Sequence, residues 1–190
     1  MSQDSPVDDQ IAGYLKEFDF IREGMRQDQR ERQGFLGFAL AASGLILGLL
    51  MRSPPTRSPT EVCFLVGLAA IVTIVAEKLT IRASLGVASA GIYLRLFVEP
   101  HVQGLDFQRR HALYVSSAKG SVSASRGFGI AYAVLSVAFV LAWFAAPIEH
   151  GGRQWWQTTV IVILGLYSLY QAGELIRRSF ADWSDVLGAW

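Results

Sequence analysis

The chain is short of charge, of cysteine and of any metal-binding pattern, and each shortage excludes something. Charged residues make up 17% of its 190 residues, where a soluble domain carries about 25%. The shortfall is concentrated. There are 19 residues without charge between Arg32 and Arg52, 22 between Arg126 and Glu149, and 20 between Arg153 and Glu174. Bilayer hydrocarbon is about 30 Å thick, so about 20 apolar residues of helix cross it. Three runs reach that length. A soluble bundle would have to bury three uncharged helices in one small domain, so the chain is read as an integral membrane protein. A fourth run, between Glu61 and Glu77, has only 15 residues.

The other absences remove chemistry. The single cysteine, Cys63, excludes an intrachain disulfide and has no metal partner in sequence. His101, His111 and His150 are too scattered to give a helix two ligands at i,i+4. There is no Walker A and no G-x-G-x-x-G. Ser116 to Lys119 spells S-x-x-K without the companion motifs of penicillin-binding enzymes. No catalytic set remains, and no cofactor or metal is expected. The polar, acidic N-terminus does not read as a signal peptide.

Basic residues are unevenly placed. Residues 1–33 hold Lys16, Arg22, Arg26, Arg30 and Arg32. The region between the second and third spans holds Lys78, Arg82, Arg95, Arg109, Arg110, Lys119 and Arg126, and the tail holds Arg177 and Arg178. The two remaining loops share Arg52, Arg57 and Arg153. By the positive-inside rule, this sets both termini on the cytoplasmic side of four spans.

Residues 8–32 predict an amphipathic helix. Ile11, Tyr14, Leu15, Phe18, Ile21 and Met25 recur at three and four. So narrow a stripe needs a partner, either another subunit or the cytoplasmic region of its own chain. The acids Asp8, Asp9, Glu17, Asp19, Glu23, Asp28 and Glu31 outnumber the bases there, which argues against a helix lying on anionic lipid. The first span carries Gly37, Ala41, Gly44 and Gly48 on roughly one face, a pattern that lets membrane helices approach closely.

The second span is the unusual one. From Val62, 15 uncharged residues cover about 22 Å. This places Glu77 and Lys78 near the inner boundary, where long side chains snorkel to the headgroups. No proline follows until Pro100, so one helix is expected from about Val62 to Phe97, with Glu77 and Lys78 at its neck. Pro100 to Asp106 turns the chain, and a second cytoplasmic helix returns towards the membrane. The tail sets Phe180, Trp183, Leu187 and Trp190 near one face, as an interfacial helix would.

The expected fold is all-α, in five parts. Residues 1–33 form the N-terminal helix, 34–81 the first two spans, 82–126 a cytoplasmic helical hairpin, 127–173 the last two spans, and 174–190 an amphipathic C-terminal helix. The hairpin combines Arg82, Arg95, Arg109, Arg110, His111 and Lys119 with Tyr93, Phe107 and Tyr114. Bases with aromatics suit phosphate binding and base stacking. Positive-inside bias alone also accounts for the bases.

The layout, and the stretch "EKLTIRASLGVASAGIYLRLFVEPHVQGLDFQRR", resemble small membrane effectors of bacterial antiphage systems. These include the SLATT-like pore-forming effectors and, closer in size, the channel effector of the Hailong system. The resemblance implies a homo-oligomeric ion channel in the bacterial inner membrane, tetrameric, whose opening depolarises the infected cell and arrests growth. It further implies an N-terminal lid, at residues 8–32, and a closing ligand. That ligand would be a single-stranded DNA oligomer made by a partner nucleotidyltransferase, on the basic hairpin. Two other readings of the residues stay open: an adaptor whose cytoplasmic helices recruit a soluble partner, and a small transporter using Glu77.

Overall fold

In the computed structural model, residues 6–52, 57–102, 124–146 and 154–188 are described. The chain is an all-α membrane protein, with four helices long and apolar enough to span a bilayer. Helix α1 is Pro6–Met51, α2 is Pro59–Tyr93, α3 is Ala124–Ala145 and α4 is Trp155–Gly188. A π-helical turn, Leu94–Val98, and a 3-10 turn, Glu99–His101, extend α2.

The helix ends follow from local chemistry. Proline opens α1 and α2, where its missing N–H costs nothing. Ser58 caps α2: its Oγ accepts from the Glu61 backbone N–H at 3.2 Å. Glu61 stands three residues on, the spacing of a capping box. Arg57 pairs with Glu61 and also donates to the Leu49 carbonyl at 2.8 Å. One guanidinium thus serves the acidic start of α2 and an end carbonyl of α1.

Two expected boundaries carry no helix end. The sequence reading separates residues 8–32 from the first span, but α1 runs through without a break. It has no proline after Pro6, and Gly34 and Gly37 weaken a helix without ending it. The C-terminal segment from 174 is likewise continuous with α4 as far as Gly188. The α-helical part of α2 ends at Tyr93 rather than Phe97, because the next turn widens: the Glu99 N–H bonds to the Leu94 carbonyl, i to i+5. The returning helix expected after Asp106 lies outside the described residues.

The chain divides into two compact units. Unit 1 is Met1–Arg32 with Arg82–Val122, and unit 2 is Gln33–Ile81 with Ser123–Trp190.

Unit 1 pairs the first part of α1 with the last part of α2, antiparallel. Phe18 is buried against Leu94 and Val98, with Tyr14, Ile21 and Met25 packed around them. Burying a side chain the size of Phe18 contributes about 2 kcal/mol.

Unit 2 is the membrane unit. Its core joins all four helices: Ala39, Ile46 and Leu50 of α1, Val62, Val66 and Ala69 of α2, Phe139 and Trp143 of α3, and Ile161 and Leu175 of α4. The outside is as apolar as the inside. Phe38, Leu45, Phe64, Ile71, Val134, Leu141, Ile163 and Leu166 all point outward and exposed. A surface of that kind suits lipid rather than water. Helices α3 and α4 come close through glycine. A Cβ on Gly129 would lie 3.0 Å from the Ala172 carbonyl oxygen and 2.6 Å from Ile176 Cγ1.

Candidate functional site

Unit 1 holds the described part of the predicted basic and lid residues. Of the stripe on α1, Tyr14, Phe18, Ile21 and Met25 meet α2, while Ile11 and Leu15 remain exposed at 37% and 41%. The partner that the stripe needs is therefore a segment of its own chain. Polar contacts edge this seam. The Tyr93 hydroxyl donates to Glu17 Oε1 at 2.7 Å, and the Tyr14 ring stacks on His101 at 4.7 Å between centroids. The hydrogen bond to Glu17 holds the Tyr93 phenol above its ordinary pKa, because ionisation would remove the donor and set two anions together.

Arg32, buried, donates through Nη1 to Ser84 Oγ at 3.3 Å. Burial pulls its guanidinium below the ordinary arginine range, and Asp28, one turn back, opposes that. Arg82 is exposed and Arg95 half-buried on α2 and its extension. Arg109, Arg110, His111 and Lys119 lie outside the described residues.

Unit 2 holds a constellation that the sequence reading missed. Glu77 does not snorkel. It is fully buried, and its Oε2 accepts from Ser168 Oγ of α4 at 2.9 Å. Ser168 in turn accepts from Ser136 Oγ of α3 at 2.7 Å. Ser136 also lies 2.8 Å from the carbonyl oxygen of Tyr132, one turn earlier. Glu77 Oε1 has no hydrogen-bond partner among the described residues, and Glu77 forms no ion pair there. Lys78 turns the other way, exposed, with its ammonium 5.6 Å from the centre of the Tyr167 ring. Charged side chains inside a bilayer cost a few kcal/mol, so they are paired, neutralised or functional.

Two more polar pairs flank Glu77 on the same face of α2. Ser43 of α1 bonds Thr73 at 3.2 Å. Tyr132 of α3 bonds Thr80 at 2.9 Å, and since Thr80 gives its own proton to the Ala76 carbonyl at 2.8 Å, the phenol is the donor. The signal was in the sequence. Thr73, Glu77 and Thr80 stand at i, i+4 and i+7, one face of a helix that is otherwise nearly all apolar there. The depth estimate fixed how far along the helix Glu77 sits and ignored which way it points.

No group of three or more histidine, cysteine, aspartate or glutamate side chains among the described residues could hold a metal. The class that the fold defines is a four-span, all-α membrane protein with a second, helical unit built from the same two helices. Comparison with protein families, with characterised proteins and with solved structures returns no match.

Proposed function

We propose that the chain is the subunit of a homo-oligomeric membrane ion channel, held closed through its N-terminal helix. The observation that carries this reading is the seam of unit 1, where Phe18 and its neighbours bind the N-terminal helix to the extension of α2. The two partners of that seam are continuous with the first two spans. A change in the seam therefore acts directly on helices of the membrane unit.

Assembly is supported by the outward face of α1. Gly37, Gly44 and Gly48 have nothing within 4 Å of a Cβ position, and Ala41 beside them is exposed. Within one protomer these residues pack nothing, whereas small residues are what membrane helices use to approach one another. A tetramer is the assembly we favour.

The distribution of basic residues puts unit 1 and both termini on the cytoplasmic side of a bacterial inner membrane. Arg82 and Arg95, with Arg109, Arg110, His111 and Lys119, form the site we assign to an anionic closing ligand. The resemblance to antiphage channel effectors names that ligand as a single-stranded DNA oligomer and the outcome of its loss as depolarisation.

Removal of residues 1–30 tests the reading. The truncated chain should depolarise cells and make reconstituted vesicles leak ions. Vesicles that stay ion-tight with the truncated chain would refute the channel. Oligonucleotide affinity should fall with salt, with a slope near −0.7 per phosphate contact. Charge reversal at Arg109 and Arg110 should flatten that slope.

A further inference from the structure

We propose that Glu77 is an exchangeable proton site inside the membrane unit, joined to a hydroxyl chain through Ser168 and Ser136. The proposal stands apart from the channel reading and rests on geometry in unit 2 alone.

The carboxyl is wholly enclosed, and one of its oxygens has no hydrogen-bond partner among the described residues. A full negative charge there lacks a countercharge. The groups that face it do not supply one. Between Gln33 and Met51, α1 has no titratable side chain. On α3 the nearest is Tyr132, whose hydroxyl serves Thr80. On α4 they are Tyr167, which stands under Lys78, and Tyr170, with Glu174 further along and already bonded to Arg177. On α2 itself Lys78 is directed at Tyr167. A proton is the smallest cation that neutralises the carboxylate, and it needs no coordination shell.

The serines accept both states without rearrangement. With Glu77 ionised, Ser136 donates to Ser168 and Ser168 donates to Glu77 Oε2, along contacts of 2.7 and 2.9 Å. With a proton on Oε2, the chain reverses. Glu77 donates to Ser168, Ser168 donates to Ser136, and Ser136 turns its hydrogen to the Tyr132 carbonyl at 2.8 Å. That carbonyl is the feature that makes reversal feasible, because it takes the hydrogen left over at the far end. Each hydroxyl in either state has one donor role and one acceptor role, within what a hydroxyl can do. One proton enters at Glu77, no covalent bond other than O–H changes, and only the hydroxyl orientations differ.

The test is infrared difference spectroscopy on the full chain in lipid vesicles. A protonated carboxyl has a C=O stretch distinct from the carboxylate bands. The expected result is such a band that is lost reversibly as pH is raised and is absent in Glu77→Gln. In Ser168→Ala the band should persist and move to higher frequency, because its hydrogen-bond partner is gone. That variant keeps the carboxyl, so the test does not depend on Glu77→Gln folding. Titrations in sodium and in choline salts should coincide. The proposal is overturned if the band is missing at every pH, if it survives at every pH, or if Ser168→Ala leaves it unmoved. It is equally overturned if sodium displaces it at constant pH, which would make the site one for a metal cation.

Discussion

Unit 1 and unit 2 use the same two helices in opposite ways. In unit 1, α1 and α2 meet through an apolar strip, Phe18 on Leu94 and Val98, and the Tyr93–Glu17 bond sits on its exposed edge. In unit 2, the exposed edge is apolar, and the polar pairs Ser43–Thr73 and Ser168–Glu77 are fully enclosed. The difference follows from solvent. Water rewards hiding carbon and tolerates charge outside, whereas lipid offers no hydrogen bonds and drives hydroxyls to find each other inside. A hydrogen bond therefore decorates one unit and specifies the other.

Mutations can break this contrast one unit at a time. The largest effect is expected from Phe18→Ala. Removing a buried phenylalanine costs about 3 kcal/mol or more. Hydrogen exchange should accelerate in the first part of α1 and the last part of α2 while α3 and α4 stay protected. Equal loosening of both units would refute the division.

Gly129→Ala should do the reverse, at about 1–3 kcal/mol. Its Cβ meets the Ala172 carbonyl, a backbone atom that cannot swing aside. Thermal unfolding in detergent should come earlier, with the Phe18 seam unaffected. Ser168→Ala should cost less, about 1 kcal/mol, because hydroxyl bonds in membrane bundles are individually modest.

The smallest effect sharpens the comparison through pH. The Tyr93 phenol is held above its ordinary value, so its contribution to the seam is complete below about pH 10 and lost as pH rises through the raised value. Alkaline titration monitored by phenolate absorbance should show this late ionisation. Tyr93→Phe should remove it, along with the alkaline loosening of unit 1.

Much of the architecture was legible from charge spacing alone. Uncharged runs gave the spans because the bilayer imposes a length. The stripe of Tyr14, Phe18, Ile21 and Met25 was visible as a period, and the structure supplies its counterpart in Leu94 and Val98. What escaped was direction. A glutamate beside a lysine at the end of a short apolar run looks like a boundary pair. Only the phase of Thr73, Glu77 and Thr80 around the helix axis separates the inward acid from the outward base. Ser136 and Ser168 were invisible for another reason. Two serines 32 residues apart become neighbours only once α3 and α4 pack, and no spacing rule connects separate spans. Helix ends were misjudged where composition changes without a stop signal, at Gln33 and again near Glu174.

The widened turn at Leu94–Val98 has a consequence for insertions and deletions. A π turn accommodates one residue more than the α-helix would place there. Deleting a single residue from it would return the segment to i→i+4 bonding. Everything after the deletion would rotate by roughly 100° about the helix axis, which would carry His101 off the Tyr14 ring. Exchanging one side chain for another in the same turn does not shift that phase. At this point in the chain, residue count governs the fit of the N-terminal helix more strictly than residue type.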